Sequence, residues 1–268
     1  MINLKSKEEI KKMKQGGIIL SSVLYELLKN IRPGVSELEI DKLAEKLIKE
    51  KGAEPGFKKV EGYNHSICVS TNNSVVHGIP TNYKFKKGDV VGIDCGIFYE
   101  GFHTDMAETI RVSTDNRQQT TNNKKDKIDE FLNTGKKALN DAIRMVKAGN
   151  RVGHISRAIQ TRIEGEGYSV VRSLVGHGVG RKLHEEPEIP GYLTTKISKT
   201  PLLIEGMTIA VEAIYNMGKS DVVLSREDNW TIRTADGSIS GLFERTVLVT
   251  KKGPVVLTQL PSDKQVVL

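Results

Sequence analysis

The sequence predicts an α+β fold made of two similar halves related by a pseudo-twofold axis, and three observations predict it. The order of two helices followed by several strands occurs twice along the chain. The second helix of each half aligns at a constant offset of 115 residues, with Gly34 matching Gly149, Ile40 matching Ile155, Ile48 matching Ile163, and Gly52 matching Gly167. A polar stretch at 113–127 separates the halves. We therefore expect antiparallel sheets covered by helices, with a ligand site where the two sheets meet.

The length and composition are those of an ordinary globular chain with enough material for a large core. The chain has 268 residues, of which 38% are hydrophobic and 27% are charged. Its first residues, MINLKSKEEIKKMKQ, lack the apolar run of a signal peptide, so we expect a cytoplasmic protein. The longest apolar stretch, GGIILSSVLYELL, is too short to span a bilayer, and no membrane role is expected. The two cysteines, Cys68 and Cys95, are too few for a disulfide framework and predict reduced thiols.

Two helices open the chain, and each begins with a capping box, in which a serine and a glutamate three residues later satisfy backbone N–H groups. The two pairs are Ser6 with Glu9 and Ser36 with Glu39. Pro33 and Gly34 separate the helices, and Gly52 ends the second one.

Short β-like runs bounded by turns follow from about residue 57 to 112. These runs are SICVSTN, DVVGIDCGIF and FHTDMAETIRV, with turns at KKGD and YEG. The stretch at 113–127 is nearly devoid of apolar side chains and predicts an exposed loop. Two further helices are expected near 128–147 and 153–165, followed by strands in GMTIAVEAIYN, DNWTIRT and ISGLFERTVLVT.

Four carboxylates fall inside these apolar strands, where a buried charge is unfavourable unless something balances it. Asp94 and Asp105 flank the turn at YEG, which predicts that they lie almost opposite each other on neighbouring antiparallel strands. Glu212 lies within MTIAVEAIYN, and Glu244 lies within SGLFERTVLVT. Together the four carry a charge of −4, which one divalent cation reduces to −2 and two cations neutralise. The pattern therefore predicts two divalent ions.

One histidine adds a nitrogen donor to the four carboxylates. His177 lies in GHGVG, a glycine-rich turn where the backbone can come close to a bound group. Carboxylate oxygens with a single imidazole suit Mn, Fe or Co, with Zn also compatible, and two such ions are typical of hydrolytic sites. His77 in VVHGIP and His184 in KLHEEP lie in turns, where we expect them to hydrogen-bond a substrate near the ions. The other three of the six histidines have no comparable setting and are expected to be structural.

As a set, these motifs resemble those of the type I methionine aminopeptidases of peptidase family M24, from about residue 6 to 258. The matching segments and residues are HGIP at 77–80, GHGVGRKLHEEP at 176–187, Asp94, Asp105, Glu212, Trp230 and Glu244. The resemblance implies the duplicated α+β architecture called the pita-bread fold. It also implies a single metallopeptidase domain over 1–268, with pseudo-repeat halves at about 1–112 and 128–258.

The resemblance further implies how two divalent ions, which would be Co, Mn, Fe or Zn, are held. Asp94 would bind one ion, His177 and Glu212 would bind the other, and Asp105 and Glu244 would bridge both. The implied activity is hydrolysis of the first peptide bond, which removes the initiator methionine from nascent proteins whose second residue is small.

Substrate contacts also follow from the resemblance. Glu212 would act as the proton shuttle, His184 would contact the substrate carbonyl, and His77 would contact the peptide beyond it. A pocket for the methionine side chain would be lined by Tyr63, Cys68 and Trp230. Cys68 would then be a wall residue of the pocket and not a nucleophile.

Departures from the family pattern leave a second activity open. Arg245 follows Glu244 where the family commonly has histidine. Ala213 follows Glu212 where the family usually has proline. In addition, HTDMAET resembles the version found in proline-specific relatives, the prolidases and aminopeptidase P. HGIP and Trp230 favour methionine specificity.

A third interpretation is a catalytically inactive module that binds peptide or ribosomal RNA. The net charge of +7 and the pI near 9.2 suit a polyanionic partner, although the lysines are scattered and solvated surfaces explain most of them. Such a module would be expected to lose metal ligands, whereas all five are present in the sequence. The charge is also compatible with an enzyme that docks transiently on ribosomes, and we expect a monomer.

Overall fold

A computed structural model describes residues 2–113 and 126–261 of the chain. The predicted loop at 113–127 therefore lies outside the described residues except at its two ends. The described helices are α1 (Lys7–Asn30), α2 (Glu37–Glu50), α3 (Lys127–Arg144) and α4 (Val152–Gly165). The described strands are β1 (Glu54–Pro55), β2 (Ile67–Thr71), β3 (Ser74–Val76), β4 (Val90–Tyr99), β5 (Phe102–Arg111), β6 (Ser169–Val170), β7 (Val175–Gly178), β8 (Glu185–Pro190), β9 (Thr208–Asn216), β10 (Val222–Leu224), β11 (Ile232–Thr234), β12 (Ser240–Val249) and β13 (Pro254–Val256).

Both predicted capping boxes are present at the starts of α1 and α2. The hydroxyl of Ser6 accepts the Glu9 N–H at 3.3 Å, while the Glu9 carboxylate accepts the Ser6 N–H at 2.8 Å. Ser36 and Glu39 repeat the same pair of bonds at the same two distances. These bonds satisfy N–H groups that have no partner inside the helix, so the local sequence specifies where both helices begin.

A large antiparallel sheet forms the centre of the molecule. Ten described strands belong to it, in the order β1-β4-β5-β12-β9-β7-β8, with β2 on β4, β13 on β12 and β6 on β9. Strands β5 and β12 join the two halves, since Glu244 pairs with Ala107 and Arg245 pairs with Met106. A smaller sheet of β10, β11 and β3 lies beside it.

The helices cover one face of the large sheet. Helix α1 packs on β4 and β5, and α3 packs on β9 and β12. Because side chains alternate along a strand, Ile93 and Cys95 enter the core with α1 and α2, whereas Asp94 between them points to the opposite face. Val211 and Ala213 likewise pack with α3 and α4, and Glu212 between them points away from the helices. The alternation therefore places the acidic residues on the face without helices.

The pseudo-repeat is visible in the backbone itself. Adding 115 to the bounds of α2, residues 37–50, gives the bounds of α4, residues 152–165. The matched glycines before the helices have φ values of 91° at Gly34 and 94° at Gly149. The matched glycines after them have 73° at Gly52 and 82° at Gly167, a region that favours glycine. The predicted α+β fold with pseudo-twofold symmetry is confirmed.

Two predicted elements are shorter than expected. Helix α3 ends at Arg144 and does not continue to residue 147. In DNWTIRT only Ile232–Thr234 is a strand, because the Asp228 carboxylate accepts the N–H groups of Trp230 and Thr231, both at 2.9 Å. These bonds form a turn that projects Trp230 from the end of β11. Among the described helices, none is both long and apolar enough to cross a membrane.

Candidate metal centre

The predicted metal ligands lie on the open face of the large sheet, and three of them share one row across four strands. Asp94 pairs with Ala107, Ala107 pairs with Glu244, and Glu244 pairs with Glu212. Directly paired residues point to the same side of a sheet, so three carboxylates and one small methyl group stand side by side. The small side chain of Ala107 leaves room between Asp94 and Glu244.

Asp105 lies on the same face as Asp94 but is not its cross-strand partner, so the expected register was wrong. Its cross-strand partner is Gly96, two residues beyond Asp94. The backbone N–H of Asp105 donates to the hydroxyl of Thr246 at 2.9 Å, and the same hydroxyl donates back to the Asp105 carbonyl at 2.8 Å. The two carboxylates are therefore diagonal neighbours on adjacent strands.

His177 completes the group from β7. It pairs with Ala210 on β9, two residues from Glu212, and its Nε2 lies 3.6 Å from Oε1 of Glu212. Its Nδ1 lies 2.8 Å from the carbonyl oxygen of Gly178, which can only accept, so Nδ1 carries the proton. This tautomer leaves the lone pair of Nε2 facing the carboxylates. Ligand atoms of Asp105, His177 and Glu244 lie within 4.8 Å of one another.

Burial and electrostatic repulsion shift the pKa of every predicted metal ligand. Burial raises the pKa of Asp94 to about 7, although a hydrogen bond with Asp105 opposes this shift. Burial and the charge of Asp94 raise the pKa values of Asp105, Glu212 and Glu244 well above their ordinary values. Burial, helped by nearby His184, lowers the pKa of His177 to about 4, so its ring is neutral at neutral pH. A neutral imidazole among carboxylates is a ligand set for a cation.

Unpartnered oxygens test whether these residues fit divalent ions. Oδ1 of Asp94 and Oε1 of Glu244 are buried and have no hydrogen-bond donor among the described residues. Buried polar atoms are rarely left in this state, and a buried carboxylate without a cation is strongly unfavourable. Oxygen donors with one imidazole match divalent first-row ions, so the residues present fit the predicted ions.

The two predicted substrate histidines lie in the same cavity as the metal ligands. The cavity measures about 720 Å³, and its wall includes His77, His184, Asp94, Glu212 and Glu244. The rings of His177 and His184 meet edge to face with centroids 4.4 Å apart. Burial lowers the pKa values of both His77 and His184. Neutral imidazoles at this position can donate to or accept from a bound peptide.

His77 has a strained backbone that its neighbours hold in place. Its φ of 55° is uncommon for a residue other than glycine. The carbonyl of Gly78 accepts the Val69 N–H at 2.9 Å, and the N–H of Ile79 donates to the Thr231 hydroxyl at 3.2 Å. A Cβ at position 78 would lie 2.0 Å from the Val69 carbonyl oxygen, so only glycine fits beside His77.

The three predicted pocket residues form the apolar wall of this cavity. Tyr63 and Cys68 are buried with Phe57 and Leu183, and half-buried Trp230 packs against them. The rings of Tyr63 and Trp230 lie 5.3 Å apart between centroids. Cys68 pairs directly with Asp94, so the apolar wall begins beside the predicted metal ligands.

The thiol of Cys68 does not have the character of a nucleophile. Burial and the charge of Asp94 raise the pKa of Cys68 well above its ordinary value, which disfavours the thiolate. The structure also adds Phe57 and Leu183 to the wall. Phe57 had no sequence signal, whereas Leu183 directly precedes His184 and could have been found by its position.

The two departures from the family pattern lie on the helix side of the sheet. Arg245 is buried and pairs with Glu108 at 2.7 Å, and it also donates to the carbonyls of Ala107 and Glu244. Ala213 packs in the core with α3 and α4. Strand alternation points both side chains away from the carboxylates, so neither residue can bind an ion held there.

A duplicated pita-bread fold with carboxylates and one imidazole on its open face defines a class of metal-dependent peptidases. The chain matches the profile of metallopeptidase family M24 over residues 11–251, and it belongs to that family. It is 40% identical to methionine aminopeptidase of Clostridium perfringens, over 96% of this chain and 99% of that protein. The resemblance found in the motifs is confirmed.

Solved structures agree with the sequence comparison. The crystal structure of methionine aminopeptidase from Thermotoga maritima superposes with a TM-score of 0.89 at 39% identity, covering 97% of this chain and all of that one. Prolidase from Pyrococcus furiosus superposes with a TM-score of 0.74 at 23% identity, and the match covers 97% of this chain but 66% of the prolidase. The prolidase likeness shows the shared fold alone.

Proposed function

We propose that the protein is a methionine aminopeptidase that removes the initiator methionine from nascent polypeptides with a small second residue. One observation carries this proposal: Cys68, in the apolar pocket wall, is the direct cross-strand partner of Asp94, a predicted metal ligand. A side chain held in the pocket therefore places its own backbone beside the carboxylates. Tyr63 and Trp230 supply aromatic surfaces that suit a thioether. The relatives named methionine aminopeptidase support the same activity.

We propose two divalent ions, chosen among Co, Mn, Fe and Zn. Asp94 would hold one ion, His177 and Glu212 would hold the other, and Asp105 and Glu244 would bridge both. The shared row of Asp94, Glu244 and Glu212 supports this assignment, because Glu244 lies between the other two. Two divalent ions also neutralise the four carboxylates.

The ions, when bound, supply activation of water and polarisation of the substrate carbonyl. Glu212 is the proposed proton shuttle, because it would lie next to the water that the ions activate. His184 would donate to the carbonyl oxygen as negative charge develops there. His77, which lines the same cavity, would contact the peptide beyond the scissile bond.

Proline-specific hydrolysis is the second candidate activity. The HTDMAET segment, which resembles the version in proline-specific relatives, favours it. Arg245 and Glu108 point away from the cavity, however, so this sequence feature does not alter the wall that a substrate touches. The catalytically inactive module is not favoured, because the five side chains proposed as ligands lie on one face of the sheet.

Release of methionine from Met-Ala-Ser by protein loaded with each of the four metals tests the proposal. Ala-Pro-Ala provides the matched test for proline specificity. Methionine release, with Ala-Pro-Ala left intact, is the expected result. Cleavage of Ala-Pro-Ala alone would establish the second activity, and cleavage of neither peptide with any metal would refute both.

We further propose a cytoplasmic monomer that associates transiently with ribosomes. The net charge of +7 supports attraction to ribosomal RNA. Cosedimentation with ribosomes should decrease steeply as salt rises, because displaced counterions dominate such binding. Sedimentation of the protein alone reports its oligomeric state, and a stable dimer or salt-independent pelleting would contradict this part of the proposal.

A further inference from the structure

Helix α2 carries two buried carboxylates one turn apart, and each is bonded to a segment that lines the cavity. Glu37 is 5% exposed and Asp41 is 7% exposed. Residues four apart lie on the same side of a helix, so both side chains project from α2 in the same direction. Neither of them lines the cavity, and neither pairs with a lysine or arginine among the described ion pairs.

Asp41 binds the segment that connects Tyr63 to Cys68. One of its oxygens, Oδ1, accepts the N–H of Ser66 at 2.7 Å and the N–H of Ile67 at 3.2 Å. The carbonyl of Ile67 in turn accepts the Tyr63 hydroxyl at 2.7 Å. Asp41 therefore fixes the backbone at Ile67, the residue whose carbonyl anchors the aromatic ring of Tyr63.

His65 links the same carboxylate to the pocket a second time. Its Nδ1 lies 3.2 Å from the other oxygen of Asp41, and its ring meets Tyr63 edge to face with centroids 5.8 Å apart. Asp41 thus restrains Tyr63 through its hydroxyl partner and through its ring neighbour.

Glu37 binds the segment that follows His77. Its Oε2 accepts the N–H of Thr81 at 3.0 Å and the Thr81 hydroxyl at 2.7 Å, and its Oε1 accepts the Thr71 hydroxyl at 2.7 Å. Thr71 ends β2, which also bonds to Gly78 through Val69. Glu37 therefore bonds to the chain on both sides of the strained turn at His77.

The second half of the chain shows that packing a helix against the sheet does not require these carboxylates. At the offset of 115, Glu37 corresponds to Val152 and Asp41 corresponds to Ser156, and both are buried in α4. Helix α4 covers its half of the sheet with an apolar and a small side chain at the same positions. A carboxylate is costly to bury, so its presence in α2 alone calls for a local reason.

We propose that Asp41 and Glu37 are positioning residues for the substrate cavity, with Asp41 holding the Tyr63–Cys68 wall and Glu37 holding the turn that bears His77. This inference rests on the proposed function for its substrate, but the geometry it describes exists without metal. Misplacement of a binding group by about 1 Å can lower a rate constant by roughly 10²-fold, so a fixed wall matters to turnover.

The pseudo-repeat supplies the test variants, because Asp41→Ser and Glu37→Val introduce the residues that α4 has at these positions. A serine hydroxyl is too short to replace the carboxylate of Asp41. Asp41→Asn keeps an oxygen where Oδ1 accepts both N–H groups, and Glu37→Gln keeps one for Thr81. These two conservative variants are expected to restore the behaviour of the unchanged protein.

Trp230 provides a readout that needs no metal and no turnover, since it is the single tryptophan of the chain and packs on Tyr63. Asp41→Ser should shift the emission of Trp230 and increase its quenching by acrylamide, and Asp41→Asn should reverse both changes. The emission does not test Glu37, because the turn that Glu37 holds is itself bonded to Thr231, the neighbour of Trp230. An unchanged emission in folded Asp41→Ser would overturn the assignment of Asp41.

Steady-state kinetics on Met-Ala-Ser test Asp41 and Glu37 separately. Asp41→Ser should raise KM by about tenfold or more and weaken the preference for methionine over leucine at the first position. Glu37→Val should lower kcat/KM without changing that preference. If Glu37→Val is folded and retains full kcat/KM, the assignment of Glu37 is wrong.

Ile48→Val is the control for a loss of stability alone. Ile48 is buried in the same helix, and the change removes one methylene while both carboxylates keep their bonds. It should lower stability but leave the Trp230 emission, KM and substrate preference unchanged. If Ile48→Val and Asp41→Ser change the Trp230 emission, KM and substrate preference equally, Asp41 acts only on stability and the proposal is overturned.

Two further outcomes remain decisive. If the unchanged protein releases no methionine with any metal, the proposed function fails, but the Trp230 comparison on metal-free protein still tests the positioning of Tyr63. If Asp41→Ser does not fold, Tyr63→Phe tests the next bond, since it removes the contact with Ile67 and keeps Asp41. Unchanged emission and KM in Tyr63→Phe would then contradict the inference.

Discussion

Glu212 and Glu244 lie directly opposite each other on β9 and β12, with 9% and 2% of their surfaces exposed. Like charges in this arrangement destabilise a sheet, and here burial removes the water that would screen them. Burial and the neighbouring carboxylates raise the pKa values of both groups. The pair is therefore stable only with protons or cations, which couples the stability of the fold to metal binding.

The metal-free protein should lose stability as pH rises from about 5 to 8. The folded pKa of Asp94 is about 7 against an ordinary value of 3.8, so the folded state holds more protons than the unfolded chain in this range. Stability from such a group is complete below its unfolded pKa and is lost as pH rises through its folded pKa. Thermal melting across this range, without metal and with saturating Mn, measures the effect. Asp94→Asn should reduce the slope of the metal-free curve without abolishing it, because the pKa values of Asp105, Glu212 and Glu244 are raised as well. A melting temperature that rises with pH would contradict the argument.

Asp105→Asn and Asp94→Asn should differ in metal stoichiometry. If Asp105 bridges both ions and Asp94 holds one, the first variant impairs both sites and the second chiefly weakens one. Calorimetric titration with Mn or Co counts the ions bound by each variant. Equal losses in the two variants would count against the proposed division of roles.

Ala107→Val should weaken metal binding by about tenfold or more. Ala107 stands between Asp94 and Glu244 in the register and is fully buried, so two added methyl groups would enter the space between these carboxylates. Overpacking also lowers stability by about 1–3 kcal/mol. Met106→Leu, on the helix side of the same strand, serves as the control that perturbs packing without touching the site. Wild-type metal affinity in folded Ala107→Val would show that the space is not used.

Lys5→Met should destabilise the protein by about 3 kcal/mol, because it breaks a buried ion pair and leaves one charge behind. The ammonium of Lys5 lies 2.5 Å from the Glu185 carboxylate, and both side chains are almost fully buried. Burial alone would raise the pKa of Glu185, but the hydrogen bond from Lys5 lowers it. Denaturant unfolding measures the loss. The double variant Lys5→Met with Glu185→Gln should recover part of it, and additive losses would exclude a direct coupling between the pair.

Local signals were sufficient to predict the helix starts and to identify acidic residues that come together on one face of the sheet, but not the register of the hairpin. Capping boxes and acidic residues in apolar strands are read from neighbouring positions, and their outcomes agree with the structure. The register depends on which two residues form the turn. Glu100 and Gly101 have φ values of 45° and 91°, as a tight two-residue hairpin turn requires, and Tyr99 therefore pairs with Phe102. A turn centred on Glu100 would instead bring Asp94 and Asp105 almost opposite each other.

The buried positions of Asp41 and Glu37 could not be predicted from the sequence, for a different reason. Asp41 is 25 residues from Ser66, and Glu37 is 44 residues from Thr81. Both carboxylates occur in a helix rich in charged residues, where an exposed position is the usual expectation. Only the folded chain shows that these two point inward.

The pairing of β5 with β12 also bears on how such a chain could have arisen. Asp94 and Asp105 precede this seam, and His177, Glu212 and Glu244 follow it. A single half of this kind would expose the strand edge that β5 presents to β12, and pairing with a second copy would cover that edge. We therefore expect that the gene descends from a duplication in which a self-complementary dimer became one polypeptide. The shared offset of 115 residues between α2 and α4 would be the surviving trace of that event, and the unequal sharing of ligands would record the divergence that followed.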